Sequence, residues 1–100
     1  MMSGPYVEQR LNVSQPSEWF WIELAELNPD ALTFDGFCSS VVGYAAQYTK
    51  LPVVVYDHEK MLETLMVRDG MTYQEAEEFI SFNTAGAWLG EHTPMIMRMA

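Results

Sequence analysis

Two short stretches hold the side chains most able to do chemistry. Asp57, His58 and Glu59 stand together in mid-chain, and Glu91 and His92 stand near its end. Brought together, these carboxylates and imidazoles would supply the oxygen and nitrogen donors of a divalent-metal site. The same histidines beside a serine or Cys38 would supply the base and nucleophile of a hydrolase. The spacing requires neither arrangement. The adjacent pairs Asp57-His58 and Glu91-His92 lack the i, i+4 separation with which a helix aims two ligands at one ion. No Gly-x-Ser-x-Gly elbow and no phosphate-cradling glycine loop occurs. No catalytic residue, metal ligand or cofactor is therefore assigned, and a small metal-dependent or hydrolytic enzyme stays as an alternative reading.

A denser group of small and polar residues runs through Asn83, Gly86, Trp88, Gly90, Glu91, His92 and Thr93. On a helix Asn83, Gly86 and Ala87 share a face, and the absence of a side chain at Gly86 admits a close neighbour. A buried Asn83 would have to satisfy its amide, for instance on a loop carbonyl. The group reads either as a packing corner or as an interaction site. Trp19-Phe20-Trp21 and the Met95 to Met99 tail add contact-prone aromatics and methionines. They point to a protein partner and to self-association, with a homodimer as the expected assembly.

The elements that must position these residues are legible from local signals. Pro16 suits the first turn of a helix over 16–27, with Ser14 or Gln15 ahead of it as cap and Glu18 favouring its positive end. That helix is apolar on too many sides for one stripe, so it is either enveloped or offers an aromatic surface. Asn28-Pro29-Asp30 ends it. Residues 40–48 and 52–56 read as an antiparallel hairpin, with Pro52 at the start of its strand and three consecutive valines that imply cover on both faces. Asp57 caps a helix over 58–69 whose stripe is Met61, Leu62, Leu65 and Met66, and Gly70 closes it. Thr72-Tyr-Gln-Glu75 is a capping box that opens a third helix over 73–87, expected to bury Tyr73, Ala76, Phe79, Ile80 and Asn83. Gly90 and Pro94 break it, and the apolar tail could add a strand. Residues 1–15 read as a loop or a short edge strand.

One hundred residues, 49% of them hydrophobic, make a single α+β domain with core material in plenty. A lone cysteine, Cys38, forbids an internal disulfide and fits a reducing cytoplasm, and it reads as an inert small hydrophobe. No basic, apolar leader and no membrane-length apolar run is present, so an unexported soluble chain is expected. A net charge of −9 repels phosphate backbones and anionic membranes. Direct nucleic-acid and membrane binding are disfavoured. A helix-turn-helix across Asp69 to Thr72 fails because Glu75, Glu77 and Glu78 would face phosphates, and the ligands of a calcium loop are absent.

From Phe34-Asp-Gly-Phe37 through Val41-Val-Gly43, Val55-Tyr-Asp57, Arg68-Asp-Gly-Met-Thr72, Glu75-Ala76, Phe82-Asn83, Gly86-Ala-Trp88, Gly90-Glu91 and Thr93-Pro94, the chain resembles small uncharacterised proteins encoded by tailed bacteriophages and related prophages. The resemblance spans residues 34–97 and leaves the first 33 outside it. It implies an accessory protein of the host bacterial cytoplasm and transfers no catalytic residue. Cys38-Ser-Ser40 departs from the pattern, where acidic or small residues would be expected after the Asp-Gly-aromatic turn. The leading expectation is a non-enzymatic module that binds a host or viral protein. A second is an acidic decoy that blocks a nucleic-acid-binding host defence enzyme.

Overall fold

A computed structural model describes residues 16–84 and 88–100. The expected segment over 1–15, the caps Ser14 and Gln15, and Gly86 and Ala87 lie outside them. Helix α1 (Glu18–Leu27) starts two residues later than expected, because Ser17 takes the cap and its Oγ accepts from Phe20 N at 3.2 Å. Pro16 therefore precedes the cap instead of entering the first turn. A 3-10 turn (Cys38–Ser40) leads into β1 (Val41–Ala45), which pairs antiparallel with β2 (Val53–Asp57). β1 falls inside the expected strand, β2 starts one residue later than expected and runs one residue further, to Asp57, and the connection between them is longer. The bulge between Val41 and Gly43 places an additional residue against β2, and Val42 is exposed there.

Asp57 ends β2 and caps α2 (His58–Asp69), accepting from Glu59 N at 2.9 Å and Lys60 N at 3.3 Å. Gly70 closes α2 in the left-handed conformation at φ 70°. The capping box then opens α3 (Tyr73–Thr84) reciprocally: Thr72 N donates to Glu75 Oε1 at 2.9 Å, and Glu75 N donates to Thr72 Oγ1 at 3.1 Å. The tail forms β3 (Met95–Met97), which joins β2 in parallel, so the sheet is mixed in the order β1-β2-β3. A parallel partner needs a long crossover, and α2 and α3 lie within that connection.

The core lies where α1, α2 and α3 meet the sheet, around Leu24, Val54, Tyr56, Met61, Leu65 and Ile80. The α2 stripe holds except for Met66, which is exposed. On α3 only Ala76 and Ile80 are buried, so the expected burial of Tyr73, Phe79 and Asn83 is corrected. α3 packs against α2 along the Ala76–Ile80 line; Tyr73 and Asn83 stand in its first and last turns, at the ends of that contact, and Phe79 turns off the line. Central position in the sheet accounts for the valine run: Val53 and Val54 are buried and Val55 is half-buried.

Candidate functional site

Strand β2 separates the two stretches that could have formed a metal site. His58 follows its C-terminal residue Asp57, whereas His92 lies at its other end, joined through Asn28 to the Pro52 carbonyl. Five residues of extended chain put those ends about 17 Å apart. Among the described residues, no group of three or more His, Cys, Asp or Glu is placed to hold an ion. Asp57 is occupied as a helix cap, and Glu91 lies 3.6 Å from Lys50 Nζ in an exposed pair.

The 3-10 turn that carries Cys38 and Ser40 packs against α2, but among the described residues no hydrogen bond links Ser40 Oγ to His58 Nε2 as nucleophile and base. Cys38 is exposed on the 3-10 turn, and desolvation pushes its thiol up, away from the reactive thiolate. His58 is buried with Nδ1 3.6 Å from Glu59 Oε2. Its Nε2 and the Oγ of buried Ser40 have no partner among the described residues. Substrate could not reach either without opening the core.

His92 instead belongs to a structural junction whose centre is Asn28, a residue that sequence reasoning treated only as a helix end. Asn28 is buried at the C-terminus of α1. Its Nδ2 donates to the Pro52 carbonyl at 2.8 Å and lies 3.1 Å from His92 Nδ1, and its Oδ1 accepts from Asp30 N at 3.1 Å. The Leu32 amide donates to the His92 carbonyl at 3.1 Å. Helix end, hairpin loop and the loop before β3 are thereby tied at one point. Asn28-Pro29-Asp30 offered a faint signal, since asparagine before a proline turn can bond the backbone two residues on.

The expected corner divides into separate parts. Asn83 is exposed at the end of α3, its Nδ2 donating to the Phe79 carbonyl of its own helix at 2.8 Å, so it ties down no loop. It stands in the last turn of α3, beyond the buried Ala76 and Ile80 of the same face. Residues 89–93 form a turn of their own. Thr93 Oγ1 accepts from Leu89 N and donates to the Gly90 carbonyl, both at 2.8 Å, and Gly90 sits at φ 102°. Trp88 stands 71% exposed beside that turn. Trp19 is 76% exposed on α1, whereas Trp21 is half-buried and meets Phe20 edge-on at 4.8 Å. Gly86 lies outside the described residues.

Arg68, near the end of α2, organises a second region that sequence reasoning did not single out. Its Nε and Nη2 donate to the two carboxylate oxygens of Asp69 at 3.0 Å each, holding that carboxyl below its usual range. Its Nη1 donates to the Gly36 carbonyl at 2.7 Å, and the guanidinium stands 5.7 Å from the Phe37 ring centre. The neighbouring loop is anchored from within the core, where Phe34 N donates to Tyr56 Oη at 2.8 Å and burial pushes the Tyr56 phenol up to about 12. Two clefts flank this region. One, of about 310 Å³, lies between residues 33–37 and α3. The other, of about 470 Å³, lies between residues 69–71 and the Glu75, Glu78, Phe79, Phe82 and Asn83 side of α3.

Comparison with family models, with curated proteins and with solved structures gave no match. Among the described residues, no helix is long and apolar enough to cross a membrane.

Proposed function

We propose that this chain is a non-enzymatic protein-binding module, an accessory protein of the kind tailed bacteriophages encode, acting on a protein of the host cytoplasm or of the virus. The observation that carries the reading is the group of large aromatics left without cover among the described residues, Trp19, Tyr48, Phe82 and Trp88, each more than two-thirds exposed. Tryptophan and tyrosine are among the side chains that most often anchor interfaces, and phenylalanine is enriched there. The polar residues that could have suggested catalysis serve the fold instead: Asp57 caps a helix and His92 completes the Asn28 junction. Capture from host lysate with the intact chain and with the Trp19→Ser/Trp88→Ser double variant tests the reading. A specific partner held by the first and lost by the second is expected. Equal retention by both, or no partner at all, overturns it.

The same proposal includes self-association as a dimer through β3, which forms an edge of the sheet and exposes Met95. Sizing by light scattering should give a dimer that Met95→Asp converts to a monomer. A monomeric parent chain removes the claim. The acidic-decoy reading stands second, favoured by the net charge of −9 and by the carboxylates Asp69, Glu75 and Glu78 along one cleft. It requires that the captured partner bind nucleic acid and that this chain compete with nucleic acid for it.

A further inference from the structure

Helix α3 carries two faces with different tasks. Ala76 and Ile80 face the core, while Glu75, Glu78, Phe79, Phe82 and Asn83 follow the i, i+3, i+4, i+7, i+8 spacing of a second stripe. That stripe is one wall of the cleft of about 470 Å³, and Asp69, Gly70 and Met71 form the other. Phe82 is 86% exposed and Phe79 39%. An exposed phenylalanine one turn from another, beside a methionine, is more apolar surface than a solvent-facing stripe of a short helix needs. Among the described residues no lysine or arginine lines the cleft, although three carboxylates do. Asp69 is already paired with Arg68, which leaves Glu75 and Glu78 as its main source of negative charge. Glu75 uses Oε1 for the capping box.

We propose that this cleft is a docking site for an arginine-bearing basic segment of a partner protein, an inference that rests on the protein-binding reading above and names the partner's chemistry. Arginine fits both halves of the site at once. Its guanidinium stacks on the Phe79 and Phe82 rings and its N–H groups donate to the Glu75 and Glu78 carboxylates, while its methylene stem covers Met71. Lysine shares the charge but presents no planar fork, so it binds the same cleft more weakly. The negative charge of the whole chain speeds encounter with such a segment, and the aromatic pair supplies what charge alone does not.

The test uses the full chain and a fluorescein-labelled nonapeptide of alternating arginine and leucine, read by anisotropy at low and moderate salt. Three variants are compared with the parent chain. Phe82→Ser removes the exposed ring. Glu75→Gln/Glu78→Gln removes two cleft charges, and the glutamine at position 75 can still complete the capping box. Glu26→Gln/Glu63→Gln removes two exposed charges elsewhere. The first two are expected to weaken binding by about tenfold or more, and the third by about twofold or less. Replacing arginine by lysine in the peptide should weaken it by about threefold or more. No binding by the parent chain, an unchanged affinity for Phe82→Ser, or an equal loss in the distant double variant overturns the proposal. A partner captured from lysate that binds Phe82→Ser and Glu75→Gln/Glu78→Gln as well as the parent chain overturns the cleft while leaving the broader binding role intact.

Discussion

Asn28 Nδ2 and His92 Nδ1 lie 3.1 Å apart although 64 residues separate them. The orientation of the Asn28 amide is settled by its other partners: Nδ2 must donate to the Pro52 carbonyl and Oδ1 must accept from the Asp30 amide. The second Nδ2 hydrogen is then directed at His92, so His92 Nδ1 has to accept and the ring proton has to sit on Nε2. Nitrogen-15 NMR of the imidazole should show the Nε2–H tautomer, and an Nδ1–H signal would contradict this arrangement. Asn28→Ala takes a partner from the half-buried Pro52 carbonyl, the Asp30 amide and the His92 imidazole nitrogen. It should cost about 3 kcal/mol in urea unfolding.

Tyr56 makes stability fall in alkali. Its phenol is pushed up to about 12 in the folded chain by burial, against an ordinary value of 10.0. Between those values the unfolded chain releases the proton and the folded chain keeps it, so the folded state binds more protons and loses stability as pH rises. The contribution is intact below pH 10 and declines by about 2 to 3 kcal/mol by pH 12. Tyr56→Phe removes that decline but leaves the Phe34 amide without its acceptor, costing about 1 to 2 kcal/mol at neutral pH. Chemical denaturation at pH 7, 10 and 11.5 separates the two effects.

The contact between Arg68 and Gly36 should show as non-additivity. Gly36 sits at φ 87°, and a Cβ there would lie 3.2 Å from Arg68 Nη1. Gly36→Ala is expected to cost about 1 to 3 kcal/mol from backbone strain and this crowding. Arg68→Ala should cost about 1 kcal/mol through loss of the bond to the Gly36 carbonyl. Because both act on one contact, the double variant should lose less than the sum, by about 0.5 kcal/mol or more. Strict additivity would mean that the clamp does not hold the loop.

Thr49 is the one described residue other than glycine at positive φ, 71°, in the connection between β1 and β2. A β-branched residue in that conformation carries about 1 to 2 kcal/mol of strain. Glycine relieves it at an unfolded-state entropy cost of about 0.5 to 1 kcal/mol. Thr49→Gly should therefore stabilise the chain by about 0.5 to 1 kcal/mol, read as a higher thermal midpoint. A lower midpoint would show that the threonine side chain contributes something the backbone does not reveal.

The sequence by itself determined the features that depend on neighbours a few residues apart. The Asp57 cap, the left-handed Gly70, the Thr72–Glu75 box and the hairpin follow from local hydrogen bonding and side-chain sterics, and these appear where the residues predict them. The α+β class follows in the same way, from alternating β-branched runs and helical stripes. Only the tertiary structure decided which polar groups meet. Asn28 reaches His92, Arg68 reaches Gly36, and His58 and His92 are held apart by the length of β2. Such encounters depend on how the crossover returns the chain, and here it lays β3 parallel to β2. The cleft beside α3 also depends on tertiary packing: α2 covers only one narrow stripe of α3, so Phe79 and Phe82, apolar in sequence, stand outside the core.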